Sequence, residues 1–297
     1  MPLKFRGLKQ LPSIFLWFLG ILLVSGIIFG LPLVKSLEVP TLKKAEITAV
    51  LSDANVIYLG EQHNRHSDRE KQLEIIQSLY QRNPQLAIGL EMFQRPFQSY
   101  LDAYIAGEIT EAELRKKTEF DQRWGFNWDS YATIFRFAQA HQIPLLALNT
   151  PSEVTRKVAR QGLESLNAED KRFIPPITEI RVDNLPYREL VEAVYQQHAH
   201  GGHGNSDGFE RFFTAQVLWD ETMAETIVDY HRANPKDQIV VITGAFHMIY
   251  DHGIPSRVER RLSSKNLQQY SILLSGHDDY AAEDSQLPAD YFYGNQP

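Results

Sequence analysis

The chain of 297 residues contains no cysteine. This absence excludes a disulfide framework, a thiolate zinc site and a lipid-modified N-terminal cysteine. Basic residues are also in deficit, since 30 Lys and Arg against 37 Asp and Glu give a formal net charge of −7. A basic surface for nucleic acid is therefore not expected. Glycine-rich phosphate loops, serine nucleophile elbows and zincin His-Glu-x-x-His motifs are missing as well, which removes three common enzyme classes.

The longest apolar segment lies near the N-terminus. Ile14 to Val34 is a run of 21 residues without a charge, and at helical rise it spans about 30 Å, the thickness of a bilayer core. Lys4, Arg6 and Lys9 precede it without an acidic residue, so the positive-inside rule places the N-terminus in the cytoplasm. A cleaved signal peptide is the rival interpretation. We favour an uncleaved transmembrane helix because the run is long and no small-x-small cleavage pattern follows it.

This topology divides the chain into two parts. Residues 1–45 are predicted to be a cytoplasmic stub, a membrane anchor and a linker, and residues 46–297 are predicted to be a single domain. The expected localisation is the membrane, as a single-pass protein whose C-terminal domain is extracytoplasmic.

Short apolar runs rich in Val, Ile and Leu predict buried strands. They are Val56–Leu59, Leu86–Leu90, Leu145–Leu148, Ile239–Thr243 and Tyr270–Leu274. Helical patterns separate them, at Ser67–Gln81, Trp128–His141 and Phe209–Tyr230. The alternation predicts an α/β fold with a central, mostly parallel sheet flanked by helices.

Three further local predictions accompany this fold. Ser67 and Glu70 have the spacing of a capping box at the start of the first helix. Residues 149–238 contain no strand-like run and predict a helical insertion. The tail from Ser275 onward is polar and is expected to be irregular.

Three predicted strands end in residues able to bind a metal or move a proton. The first ends in Gly60-Glu61-Gln62-His63, the second in Glu91 and the fourth in Gly244-Ala245-Phe246-His247. Because ligands of open α/β sheets bind outside the carboxyl ends of strands, these side chains are expected to converge. His63, Glu91 and His247 are the predicted metal ligands, and together with Glu61 they are the predicted catalytic residues.

The ordered motifs of the chain resemble one known family. From about Leu51 to Arg257 the sequence is similar to the ChaN-like haem-binding proteins, within the Tiki, TraB and erythromycin-esterase group. The motifs that carry the resemblance are Gly60-Glu61-Gln62-His63, Leu90-Glu91-Met92, Trp124-Gly125-Phe126-Asn127-Trp128, Ala147-Leu148-Asn149-Thr150-Pro151, the segment Ala215 to Ala224, Gly244-Ala245-Phe246-His247 and Gly253-Ile254-Pro255.

The resemblance implies two kinds of function. ChaN-like proteins bind haem at a dimer interface with tyrosine ligation, which implies haem as cofactor and a possible homodimer. Tiki-like relatives are metal-dependent proteases with paired Gly-x-x-His motifs, and the esterase relatives open a lactone. His63, Glu91 and His247 match the shared metal or catalytic positions, and Glu61 matches the glutamate of the esterase pattern. This chain has Asp251-His252-Gly253 where the ChaN-like proteins have Asp-Tyr-Gly.

A glycine-rich loop supplies further candidate ligands. His198, His200 and His203 could bind haem iron or another transition metal, or the loop could be simply solvated. With Tyr250 and His252 they are the predicted cofactor-binding residues. The aromatic group Trp124, Phe126, Trp128 and Tyr131 could wall a porphyrin or peptide pocket, although core packing is the commoner role of such a group.

Three hypotheses of function remain open from the sequence. The first is a ChaN-like protein that binds haem or a divalent metal (Mn, Co, Zn or Fe) in iron or haem handling at the extracytoplasmic membrane face. The second is a metal-dependent protease or esterase acting on a small molecule or peptide, with Glu61 activating water. The third is an inactive scaffold.

Overall fold

The protein folds around one seven-stranded sheet. The structure, a computed structural model, describes residues 39–199, 206–264, 266–275 and 286–294. The strands are β1 Thr41–Leu42, β2 Val56–Glu61, β3 Leu86–Gln94, β4 Leu145–Asn149, β5 Gln238–Gly244, β6 Gln269–Leu273 and β7 Tyr291–Tyr293. Their order is β1-β7-β6-β2-β5-β3-β4, and every pair is parallel. The predicted parallel α/β sheet is confirmed.

Ten α-helices occur in the described residues. They are α1 Ile47–Leu51, α2 His66–Arg82, α3 Gln98–Ile105, α4 Glu111–Lys117, α5 Phe120–Arg123, α6 Asp129–Ala140, α7 Ser152–Gln161, α8 Leu185–Ala199, α9 Ser206–Ala233 and α10 Ile254–Leu262. The three helices predicted from periodicity correspond to α2, α6 and α9. No helix within this part of the chain is long and apolar enough to cross a bilayer, and the predicted span Ile14 to Val34 lies outside it.

Alternate residues of the central strand β2 pack into two different cores. Ile57 and Leu59 belong to the cluster with α1, α2, α3 and α6, whereas Val56 and Tyr58 belong to the cluster with α9 and α10. Successive side chains of a strand point to opposite faces, so helices cover the sheet on both sides. This double coverage explains why the strands read as continuous apolar runs.

The span predicted as a helical insertion contains α7, α8 and all of α9. Its apolar side chains form a third cluster, which shares Leu190 and Phe246 with the α9–α10 core. Between the end of β4 and the start of β5, the described residues include no strand. The long helix α9 therefore links the insertion to the sheet.

Two local predictions were wrong. Helix α2 begins at His66 with Arg65 as N-cap and without a side-chain cap, so Ser67 lies inside the first turn and cannot form the capping box. The tail is not irregular throughout, because Tyr291–Tyr293 pairs with β6 as β7. Three residues are too few to show a period of two, and the same holds for the two residues of β1.

Strand β4 lies at one edge of the sheet, where its outer backbone groups are not paired by another strand. The side-chain amide of Gln98, from α3, takes part of that role. Its Nε2 donates to the carbonyl of Leu145 at 2.8 Å, and its Oε1 accepts from the N–H of Ala147 at 2.7 Å. One side chain thus pairs with two backbone groups at this edge of the sheet.

Candidate functional site

The carboxyl ends of three adjacent strands form the candidate site. β5 lies between β2 and β3, and Glu61 at the end of β2 is in register with Gly244 at the end of β5. His63 follows β2, and His247 closes the short 3-10 turn after β5. Glu91 projects from β3. The parallel arrangement therefore brings residues that are far apart in sequence to one edge of the sheet.

His63, Glu91 and His247 meet there, as expected from the sequence. His247 Nε2 lies 3.4 Å from Glu91 Oε1. A Cβ atom placed on Gly244 would lie 2.9 Å from His63 Nε2 and 3.7 Å from Glu91 Oε2. The side chains of His63 and Glu91 thus face the same small space beside Gly244.

His63 is held by a buried carboxylate. Its Nδ1 lies 2.7 Å from Glu61 Oε1, and Glu61 is fully buried. The same oxygen accepts from the Tyr131 hydroxyl at 2.6 Å and from Arg69 Nη2 at 3.0 Å, while Oε2 accepts from Gln72 Nε2 at 2.7 Å. These partners fix the carboxylate, and the carboxylate fixes the imidazole ring.

The charge of Glu61 is balanced inside the protein. Burial acts to raise the pKa of Glu61, but the contacts with His63 and Arg69 and the Tyr131 hydroxyl outweigh it and lower the pKa below its ordinary value. Arg69 is buried and donates to the carbonyls of Gln62 and His63 as well. Glu61 is accordingly an ionised carboxylate paired with a buried guanidinium.

His247 lies in a second network. Its Nδ1 is 2.6 Å from Asp220 Oδ1 and 3.2 Å from Gln216 Nε2. The Tyr187 hydroxyl donates to Asp220 Oδ2 at 2.6 Å. On the other side of the ring, Nε2 faces Glu91, whose Oε2 accepts from the Gly244 N–H at 2.6 Å and from a threonine hydroxyl next to it in β5.

This network holds a charged imidazole. Burial acts to lower the pKa of His247, but Glu91 and Asp220 outweigh it and raise the pKa to about 10. Burial likewise acts to raise the pKa of Glu91, and the imidazolium brings it down to about 2. At neutral pH the second histidine is therefore an imidazolium between two carboxylates.

Two aromatic rings flank His63. The Trp124 ring centroid is 4.8 Å from that of His63 with the planes nearly perpendicular, and the Phe126 centroid is 5.0 Å away. Both residues are partly exposed, whereas Trp128 and Tyr131 are buried core residues. The aromatic group thus divides, with two members beside the site and two in the core.

The residues do not arrange as a divalent-metal centre. Within the described ranges, no group of three or more His, Asp or Glu side chains could hold a metal ion. Both carboxylate oxygens of Glu91 and both ring nitrogens of His247 already have protein partners. The predicted ligands converge, but the donor atoms of Glu91 and His247 are directed at each other or at other protein groups.

The other predicted ligands lie elsewhere. The side chains of His198, His200 and His203 fall outside the described residues. Tyr250 is 4% exposed, so its ring is part of the core. His252 is partly exposed, with its ring 6.2 Å from that of Tyr187 and 5.8 Å from that of Tyr250.

Sequence reasoning missed most of the supporting residues. Arg69 and Gln72 come from α2, and their side chains were not distinguished from an ordinary amphipathic helix. Tyr187 and Gln216 come from the insertion. Gln216 lies in the motif segment Ala215 to Ala224, but the sequence pattern gives neither residue a role. The exception is Asp220, because the adjacent carboxylates Asp220 and Glu221 on the long helix predict groups that support the site. Asp220 contacts His247, whereas Glu221 pairs with Arg260 and Arg261.

The family model described as "Haem-binding uptake, Tiki superfamily, ChaN" matches residues 47–258. The chain belongs to this family. The match covers β2 to β5, which include all three strands of the site, and the first half of α10. The resemblance to ChaN-like proteins is therefore confirmed, and the family is one of haem-binding proteins.

One solved structure shows the same fold, and a second is a more distant match. One, titled cofacial heme binding to ChaN of Campylobacter jejuni, is 19% identical over 84% of this chain and 90% of that chain, with a TM-score of 0.63. An erythromycin esterase mutant in its open conformation is 14% identical over 76% of this chain and 71% of that chain, with a TM-score of 0.45. No curated protein matches the sequence.

Proposed function

We propose that this protein binds haem and that His252 is the residue that contacts the iron. Membership of a haem-binding family supports the cofactor. The observation that carries the choice of ligand is the state of the His252 imidazole. Burial and the neighbouring Arg257 guanidinium lower the pKa of His252 below its ordinary value of 6.5, so the ring is neutral at neutral pH and has a lone pair to offer.

The surroundings of His252 suit a porphyrin. The rings of Tyr187 and Tyr250 flank the imidazole, and the Arg257 guanidinium lies over the Tyr187 ring at 5.2 Å. Tyr187 stands in the first turn of α8, two residues after Leu185, which is 65% exposed. The exposed apolar side chain of Leu185 at the start of this helix favours contact with an apolar ligand at the nearby surface.

Tyr250 is less suited to contact the iron. It is buried, and it has a φ of 53° inside a tight turn that continues into Asp251 with a φ of 55°. The turn places His252, not the tyrosine, at the surface. Haem, when bound, would supply an iron centre, and the His252 imidazole would hold the iron.

Haem titration of the full chain, followed by Soret absorbance, tests the proposal. His252→Ala is expected to weaken binding at least about tenfold and to change the Soret position. His141→Ala, in an exposed histidine outside this region, is the control and should bind as the unaltered chain does. The triple substitution of His198, His200 and His203 by Ala tests the loop as the alternative ligand source.

Each result of the titration has a defined meaning. No Soret change in the unaltered chain would overturn haem binding. Loss of binding in the loop variant but not in His252→Ala would move the ligand to the loop. The molecular mass of the protein in solution, measured with and without haem, shows whether haem binding produces a dimer. The cofacial arrangement named for the Campylobacter protein suggests that it does.

We also propose that the domain acts in haem or iron handling at the extracytoplasmic face of a membrane. The support is the uncharged run Ile14 to Val34 and the three basic residues before it. A reporter active only in the cytoplasm, fused after residue 45, should be inactive. Strong reporter activity would contradict this topology.

A further inference from the structure

We infer that residues 176–186 form a surface strip that lies against a lipid bilayer, with the side chains of Ile177 and Val182 in its apolar layer. This inference rests on the membrane location proposed above, and it adds which face of the domain meets the lipid. Three observations carry it: the clustering of exposed apolar side chains, the contacts that fix their backbone, and the place where the N-terminal part of the chain enters the fold.

The most exposed large apolar side chains lie in one short segment. Ile177 is 37% exposed, Val182 46% and Leu185 65%, and in the described ranges every other large apolar side chain is more buried. Apolar side chains scattered singly over a surface need no partner, but three within nine residues indicate a contact surface. Leu185 is closest along the chain to Tyr187 and the proposed haem site, and Ile177 and Val182 are further from it.

The strip is fixed to the helices beneath it. Between the exposed side chains, Ile180 is buried in the third apolar cluster. The Arg181 N–H donates to Glu221 Oε1 at 3.3 Å, and the Arg260 guanidinium donates to the Glu179 carbonyl at 3.4 Å. These contacts hold the middle of the strip against α9 and α10. The apolar side chains on either side are therefore presented outward by a segment whose backbone is held in place.

The composition of the strip suits the boundary between lipid and water. The two prolines at its ends lack a backbone N–H, so fewer donors lose water when lipid approaches. Glu179 is paired with Arg261. Arg181 and Asp183 are both exposed and offset each other in charge, and an arginine can keep its guanidinium among headgroups while its stem lies along apolar chains. The strip thus presents apolar groups without an uncompensated charge.

The N-terminal part of the chain enters the fold on the same face of the sheet. Val39, the first described residue, is buried in the apolar cluster of α9 and α10. The uncharged run ends at Val34, and the five residues from there to Val39 span at most about 18 Å. The helix α10 leads into β6, which β7 alone separates from β1, a distance of about 10 Å. A membrane-inserted run would thus hold the domain beside the bilayer on the face that carries the strip.

The test uses the absence of cysteine from the sequence, because a single introduced cysteine is then the only site for a thiol-reactive label. Full-length Ile177→Cys and Val182→Cys are labelled with a nitrobenzoxadiazole fluorophore and reconstituted into vesicles of phosphatidylcholine and phosphatidylglycerol. We expect the emission to lie at shorter wavelength than that of a water-exposed label. Nitroxide groups on the lipid acyl chains should quench it at least about threefold more strongly than at a control position.

Gln81→Cys supplies that control position. Gln81 is exposed at the end of α2, which packs on the opposite face of the sheet. Its label should have the emission of a water-exposed fluorophore and little quenching by the nitroxide lipids. Circular dichroism should show that all three labelled variants are folded, as expected for substitutions of exposed side chains.

The outcomes separate this inference from the membrane location on which it rests. A full-length chain that does not float with the vesicles would overturn both. A chain that floats with the vesicles, but whose labels at 177 and 182 are quenched no more than the label at 81, would overturn the strip alone. Emission that shifts with the protein-to-lipid ratio and is not quenched by nitroxide lipids would also overturn it, because the strip would then contact a second copy of the chain.

Discussion

The two strand-end histidines differ although the same pattern of residues produces them. Each follows a strand in a Gly-x-x-His sequence, and each has Nδ1 against a fully buried carboxylate, at 2.7 Å for His63 and 2.6 Å for His247. The Nε2 atoms differ. That of His63 faces the space beside Gly244, and that of His247 faces Glu91. The side chains are 25% and 8% exposed, respectively.

The source of positive charge explains the difference. Arg69 supplies a permanent cation to Glu61, so that carboxylate does not depend on its histidine for charge balance. Asp220 receives the neutral hydroxyl of Tyr187, and the cation between Asp220 and Glu91 is His247 itself. A motif of this kind therefore predicts where a histidine lies, while its neighbours decide whether it can take part in proton transfer.

The largest expected effect is a difference in the free energy of unfolding between variants of the two histidines. His247→Gln leaves Glu91 and Asp220 buried without their cation, and should lower the free energy of unfolding by about 3–5 kcal/mol at pH 7. His63→Gln removes one partly exposed partner of Glu61 and should cost about 1 kcal/mol. Denaturant titration of both variants measures the two losses. Similar losses would contradict the comparison.

The pH dependence of stability should come from the second network. Because the pKa of His247 is raised from 6.5 to about 10, its stabilising contribution is fully present below pH 6.5 and is lost as the pH rises through about 10. The difference in unfolding free energy between the unaltered chain and His247→Gln should thus shrink by a few kcal/mol between pH 6.5 and 10. Denaturant titrations at several pH values test this, and a constant difference would show that His247 is not charged.

Removing the permanent cation sharpens the comparison further. Arg69→Met leaves the Glu61 carboxylate buried without its permanent cation, and adding Glu61→Gln should recover about 2 kcal/mol of the lost unfolding free energy, because the uncompensated charge is then gone. Asp220→Asn in the Arg69→Met background is the matched control and should recover nothing. If Asp220→Asn recovered unfolding free energy in the Arg69→Met background, the charges around Glu61 and those around His247 would have to balance each other.

The smallest expected effect concerns two tyrosine hydroxyls. Tyr131 and Tyr187 each donate to a buried carboxylate at 2.6 Å. Tyr187→Phe should cost about 2 kcal/mol and Tyr131→Phe about 1 kcal/mol, because Glu61 retains Arg69 and Gln72 whereas Asp220 retains only His247 among the described residues. Thermal unfolding of the two variants compares the losses, and the reverse order would contradict this account.

Much of the fold could be predicted from local pattern. The apolar runs of β2 to β6 are continuous because both faces of the sheet are covered, and that pattern is visible without a structure. The order of the strands could not be predicted, since it depends on where each crossover helix packs. The position of β5 between β2 and β3 is the fact that brings His63, Glu91 and His247 together.

The roles of the site residues were less predictable than their positions. Glu61, His63, Glu91 and His247 were expected at one edge of the sheet and are there. Most of their pairing was not visible, because it depends on partners far along the chain, such as Arg69 on α2 and Tyr187 in the insertion. Two residues with the same local sequence thus acquire different states from long-range contacts.

The amide of Gln98 bears on how copies of this protein can associate. Strand addition at the β4 edge would require a new chain to pair with the Leu145 carbonyl and the Ala147 N–H, and Gln98 already occupies both. An incoming strand would have to displace the Gln98 side chain, whose planar amide group makes both hydrogen bonds. Growth of the sheet from molecule to molecule is thereby disfavoured at this edge, and a pair of copies formed around a ligand would be pushed towards contacts between helices and loops.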